Sequence, residues 1–155
     1  MKGFNVAEQG HIVNILAPVD INGGVNSDIF SMKDHSHVDI LIQNGVNAAA
    51  STVTVEACDD FSPSANTAIA FNVYKEETAA GDTLGARTAV AATGFAMGTN
   101  NGIMYVISID AAELPAGKPN LRICFSDPSA SVIASAAAIL SGARYSSPES
   151  ATEIA

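Results

Sequence analysis

The sequence predicts an all-β protein, an antiparallel β-sandwich with the jelly roll among its forms, carrying an extended N-terminal arm. Three observations predict it. First, Val38-Asp39-Ile40-Leu41-Ile42 alternates, placing Val38, Ile40 and Ile42 on one face of a strand and Asp39, Leu41 and Gln43 on the other. Second, similar runs recur at intervals of roughly 10–15 residues with turn chemistry between them, the spacing of a sandwich. Third, the chain shows no β-α-β rhythm, internal repeat or low-complexity block.

With 155 residues the chain fits one domain. Residues 1–17 are assigned to the arm or to a first strand, 18–146 to the sandwich and 147–155 to a polar tail. Met1 to Gly10 is polar and aperiodic. The apolar, β-branched HIVNILA segment follows, and Pro18 closes it. Gly23-Gly24 supplies a turn, and Val25 to Met32 a short strand. The central run ends at Asn44-Gly45, a turn dipeptide, and Ser51 to Ala57 is expected to pair beside it. Asp59 to Asn66 is a loop and Thr67 to Tyr74 a strand. Lys75 to Asp82 is a charged connection, and Thr83 to Met97 one or two irregular strands interrupted by Gly85 and Gly94.

Gly98 to Gly102 is a turn, and Ile103 to Asp110 is the clearest strand in the chain. Asp110 and Pro115 bracket one helical turn. Leu121 to Ser126 alternates. Ser131 to Leu140 contains alanine at 134, 136, 137 and 138, which favours helix by propensity. Val132, Ile133 and Ile139 are β-branched, and the surrounding strands decide for strand. Val38, Ile40, Ile42, Val53, Val55, Ile107, Ile109 and Ile123 are expected to share the core.

Composition removes several function classes. The net charge is −9, and the seven basic residues are scattered, so no footprint exists for nucleic acid. No apolar run approaches the ~18 residues of a membrane span. Charged residues make up 15%, below the roughly 25% usual in globular domains. Small neutral residues take their place, as expected of a surface that packs against neutral partners. Met1 to Asn5 lacks the apolar core of an export signal, so Cys58 and Cys124 are expected as free thiols in a reducing compartment. Their spacing fits no zinc motif.

One cluster invites a catalytic reading. In an extended chain His35, His37 and Asp39 share a face, and an H-x-H pair on a strand can ligate a metal, as in cupin-like enzymes. The cupin pattern adds a glutamate shortly afterwards, whereas residues 40–44 are Ile, Leu, Ile, Gln and Asn. No serine lies in G-x-S-x-G. Glu76-Glu77 and Asp59-Asp60 are adjacent pairs, which point to opposite sides of a strand. The residues therefore imply no cofactor.

The blocks SDIFSMKDHSHVDILIQNG, NGIMYVISIDAAELPAG and AAILSGARY carry a resemblance that runs from about Gly24 to Tyr145. They resemble a family of small proteins from the structural modules of tailed bacteriophages, the capsid decoration or cement proteins. The resemblance implies a non-catalytic protein made in the host cytoplasm and bound to the outer surface of the capsid. Its partners would be the major capsid protein and copies of itself in a homotrimer. On that reading Ile12, Val13, Ile15 and Leu16 supply the contact surface of the arm. A tail or head-fibre component is the alternative within the virion, and a cupin-like enzyme using His35 and His37 the alternative outside it.

Overall fold

A computed structural model describes residues 3–77, 82–144 and 154–155. Asn5 caps a single helical turn, α1 (Val6–Gln9), its side chain accepting from the Ala7 N–H at 3.2 Å. Twelve strands follow among the described residues: β1 (His11–Asp20), β2 (Val25–Asn26), β3 (Phe30–Ser31), β4 (His35–Asn47), β5 (Thr52–Cys58), β6 (Asn66–Ile69), β7 (Phe71–Glu77), β8 (Thr88–Val90), β9 (Phe95–Ala96), β10 (Ile103–Asp110), β11 (Asn120–Phe125) and β12 (Val132–Ala143). A 3-10 turn, Ala111–Glu113, sits where the helical turn is expected, boxed by Asp110 and Glu113.

The strands form two antiparallel sheets. The larger has the order β1-β12-β4-β10-β7-β8; the smaller has β2-β11-β5-β6, with β3 joining β11 and β9 joining β5. The pairings nest: β1 with β12, β2 and β3 with β11, β4 with β10, β5 with β6. The chain is therefore one long hairpin rolled into two layers, the jelly-roll arrangement. Inward side chains of both layers make one core, in which all eight expected residues are buried.

The sequence expectations need several corrections. Thr67 to Tyr74 is not one strand: it divides at Ala70 into β6 in the smaller sheet and β7 in the larger. The central run and Ser51–Ala57 are not neighbours: β4 lies in the larger sheet and β5 in the smaller, so they face one another across the core. Asn44-Gly45 is not a turn. β4 continues to Asn47 because it stays paired with β12 through Ala134↔Asn44 and Val132↔Asn47, while on the β10 side, where the ladder ends at Gln43, the Asn44 side chain accepts from the Ile103 N–H at 2.5 Å. Val25 to Met32 is two short strands rather than one.

The last correction concerns the N-terminus. Residues 11–17 lie in a strand of the sandwich, not in an arm. β1 pairs with β12 from His11↔Leu140 to Asp20↔Ile133, and its inward Val13 and Ile15 are buried. Pro18 does not detach the strand. It falls inside β1, in the stretch where the register shifts between Leu16 and Val19, so the N–H that proline lacks is not required there. A side chain at Gly10 would lie 2.8 Å from Ile139, so the approach to β1 is also packed closely on β12. The tail assigned to 147–155 lies outside the described residues except for Ile154 and Ala155.

Candidate functional site

The outer face of the larger sheet is the candidate site, and strand pairing builds it residue by residue. Asn14 is opposite Ala137, Ala137 opposite Leu41, Leu41 opposite Val106 and Val106 opposite Tyr74. This row crosses five strands and carries no formal charge. One step along the strands, Ser135, Gln43 and Met104 are aligned; on the other side, Ile12 and Ile139 lead to Asp39 and Ser108. Leu41, Val106, Met104, Ala137 and Ile139 are half-buried, and Ile12 is 51% exposed. Asn14, Leu16, Leu41, Gln43, Met104 and Ala137 surround a shallow groove of about 360 Å³.

The outer side of the smaller sheet differs. There Arg122 Nη2 is 2.7 Å from Glu56 Oε2, and Asn66 donates to the same oxygen at 2.7 Å. Burial raises the Glu56 carboxyl, but the bonds from Arg122 and Asn66 outweigh it and hold the pKa below the ordinary value. Two faces made from the same alternating pattern thus differ: the smaller sheet carries an ion pair at its middle, the larger an uncharged row with its ion pairs at one end.

At one end of the apolar face, His37 is held between two carboxylates. Its Nδ1 is 2.7 Å from Asp110 Oδ1 and its Nε2 is 3.2 Å from Asp39 Oδ1. Burial lowers the pKa of the ring, and the bonds and charges of Asp110 and Asp39 more than reverse that, leaving it raised. Both nitrogens donate only in the imidazolium form. In that form the arrangement is a cationic clip across β4 and β10.

Ser108 Oγ also lies 3.4 Å from His37 Nε2, so Ser108, His37 and Asp110 follow the order of nucleophile, base and orienting acid. Two features disarm them. Asp39 occupies the nitrogen that must accept the serine proton. Ser108 itself sits in a strand paired on both sides, so its peptide groups are held in ladders instead of forming an oxyanion site.

The metal set of the cupin-like alternative is not brought together. His35 is 5% exposed, and its ring stacks on His11 with centroids 5.9 Å apart. Burial, followed by the charge of His11, lowers its pKa. His37 turns instead to Asp110. Among the described residues no three His, Cys, Asp or Glu side chains group as metal ligands.

The expected contact residues divide by strand parity. Val13 and Ile15 point into the core and Ile12 joins the outer face, whereas Leu16, set opposite inward-facing Ala136 by a register shift after Asn14, packs partly buried against the core at the margin of the groove. Leu41, Met104, Val106 and Ile139 complete that face and were not anticipated. Their signal is present in the sequence, since these strands carry large apolar residues on the side away from the core as well. A larger cleft, about 610 Å³, opens beside Val73, Lys75, Thr88, Phe95 and Tyr105. Phe95 packs between Phe71 and Tyr105, and the Tyr105 hydroxyl accepts from the Gly98 N–H at 2.7 Å.

No family model and no curated protein matches the chain. Among solved structures it is similar to a chain in the "Structure of infectious bursal disease virus Gx strain", at 10% identity and a TM-score of 0.19. The match covers 85% of this chain but only 39% of that one, and a likeness at this level carries nothing over to fold or function.

Proposed function

We propose that this chain is a non-catalytic virion protein that binds the outer surface of a tailed-phage capsid and stabilises its lattice. The proposal starts from the three sequence blocks that resemble cement proteins. The observation that carries it is the uncharged row Asn14, Ala137, Leu41, Val106 and Tyr74 on the larger sheet. An uncharged row that is apolar at its centre and has a polar and charged margin matches the composition of a protein–protein interface core. A ligand that binds only the assembled lattice stabilises it in proportion to the logarithm of its excess over Kd. Attachment as a homotrimer multiplies weak contacts into avidity.

Co-sedimentation with undecorated capsids tests the proposal. The wild-type chain should pellet at a fixed ratio to the major capsid protein. Leu41→Asp combined with Val106→Asp should lose at least tenfold in affinity while its circular dichroism spectrum stays that of an all-β protein. Failure of the wild-type chain to pellet sinks the reading; pelleting with tail or fibre assemblies instead assigns it to that part of the virion.

A further inference from the structure

Backbone bonds tie three segments of the chain together at one end of the sandwich. The Met32 N–H donates to the Pro119 carbonyl oxygen at 2.9 Å, joining the turn that enters β4 to the connection that enters β11. The Arg144 N–H donates to the Asp34 carbonyl oxygen at 2.9 Å, which brings the end of β12 to the same place. The Lys118 N–H donates to the Pro115 carbonyl oxygen at 3.1 Å and closes a turn in which Gly117 has φ +78°. Lys33, Lys118 and Arg144, far apart in sequence, thereby line one groove of about 400 Å³.

The charge of this groove runs against that of the chain. The protein has seven basic residues and a net charge of −9, yet three of the seven gather here. Asp34 and Glu113 adjoin the groove in sequence but do not line it, and the Glu113 carboxylate is turned back to accept from the Asp110 N–H at 2.9 Å. Among the described residues none of the three cations is ion-paired: Lys118 Nζ donates to the Thr67 hydroxyl, and Lys33 and Arg144 are exposed. Arg122, by contrast, is tied to Glu56. Like charges held side by side repel, and a cleft lined by one sign of charge concentrates the opposite sign. The groove also has an apolar wall, made by Met32, Leu114 and Pro115.

We infer that this groove binds an acidic peptide segment of a partner protein, one that carries carboxylates on both sides of an apolar side chain. The three cations answer the carboxylates, and the apolar wall takes the side chain between them. A free inorganic anion would meet the charges but leave the wall bare. No aromatic ring lines the groove, so nucleic acid finds no platform for its bases. The volume falls within the roughly 300–1,000 Å³ of ordinary ligand pockets. Exposed ion pairs contribute little singly, so affinity depends on several of them acting together with the apolar contact. The groove shares no residue with the uncharged row of the larger sheet, so the inference does not depend on the capsid reading.

The test titrates the isotopically labelled full-length chain by NMR with a capped synthetic peptide of glutamates around a central leucine. Saturable shifts should appear at Lys33, Leu114, Gly117, Lys118 and Arg144. Lys33→Gln combined with Arg144→Gln should weaken binding about tenfold, with the circular dichroism spectrum unchanged. Arg87→Gln, which removes an exposed charge outside the groove, should leave the affinity as it is. Added salt should weaken binding, as should glutamine in place of every glutamate or serine in place of the leucine. No saturable shift up to millimolar peptide, or shifts centred elsewhere, would overturn the inference. So would an equal loss in Arg87→Gln, which would assign the binding to overall charge. Inorganic phosphate binding as tightly as the peptide would overturn it too, by making the groove a small-anion site.

Discussion

His37 and Asp110 face one another across the β4–β10 seam, with Nδ1 2.7 Å from Oδ1, while Asp39 holds the opposite nitrogen. The pKa of His37 is raised above 6.5, so the stability this clip contributes is fully present below that value and is lost as pH rises through the folded pKa. The gap in melting temperature between wild type and His37→Gln should be widest at about pH 6 and should narrow in alkaline buffer. NMR titration should place the His37 pKa above 6.5 and show it falling in Asp110→Asn. A gap that widens with pH contradicts the clip.

Ile40 lies opposite Ile107 on one side and Ala138 on the other, and all three are fully buried. Ile40→Ala should cost about 2–5 kcal/mol, because the surrounding strands are fixed by their ladders and collapse only partly into the cavity. Leu41→Ala, one residue on but facing outward, should cost clearly less. Equal losses in chemical denaturation would mean that the outer face is also core.

Gly94 has φ +82°, and a Cβ there would stand 2.2 Å from the Val53 carbonyl oxygen. Gly94→Ala combines a left-handed backbone with a clash against main chain that cannot yield. It should cost at least about 2 kcal/mol. Gly117→Ala is the control, since its φ is also positive but nothing lies within 4 Å of its Cβ. Denaturant midpoints that fall equally would assign the whole effect to backbone strain.

Cys58 and Cys124 are both free, Cys58 buried and Cys124 half-buried. Burial, reinforced by the Glu56 charge, pushes the Cys124 thiol up to about 11. At pH ~8 only on the order of a thousandth of it is thiolate, so a disulfide reagent should modify the native protein slowly. Denaturation without reductant should release two reactive thiols. Rapid reaction of the native chain would place a thiol in a more polar setting.

β1 covers one side of β12, and its Val13 and Ile15 fill the core. Deleting residues 1–20 strips an edge from the sheet and exposes Ala134, Ala136 and Ala138, so the truncated chain should aggregate on expression. A soluble, folded truncation with an all-β circular dichroism spectrum would restore the arm reading for this stretch.

Strand identity and the inward faces were legible because alternation is a local signal. Even the alanine-rich run at 134–138 reads correctly once its β-branched neighbours are weighed; in the sheet Ala134, Ala136 and Ala138 point inward between β1 and β4. Partnership was not legible. Nothing local reports that Asn44 finds the peptide of Ile103, 59 positions away, or that β4 and β5 separate into different layers. The candidate site was half-visible. Ile12 was singled out, but for an arm, and Leu41 and Val106 were overlooked because an outward apolar residue is ordinary until neighbouring strands align several of them.

The nested pairing also dictates an order of events during synthesis. β12 lies between β1 and β4, so the first long strand to leave the ribosome has no partner until nearly the last one emerges. β4, with Val38, Ile40 and Ile42 on its inward face, waits equally long with one edge open. Closing such distant pairs is slow, because loop-closure entropy is lost before any contact repays it. Nascent chains are thus at greatest risk of association with one another before residues 132–143 are made, and a stall just upstream of Val132 should yield aggregates rather than a partly folded domain.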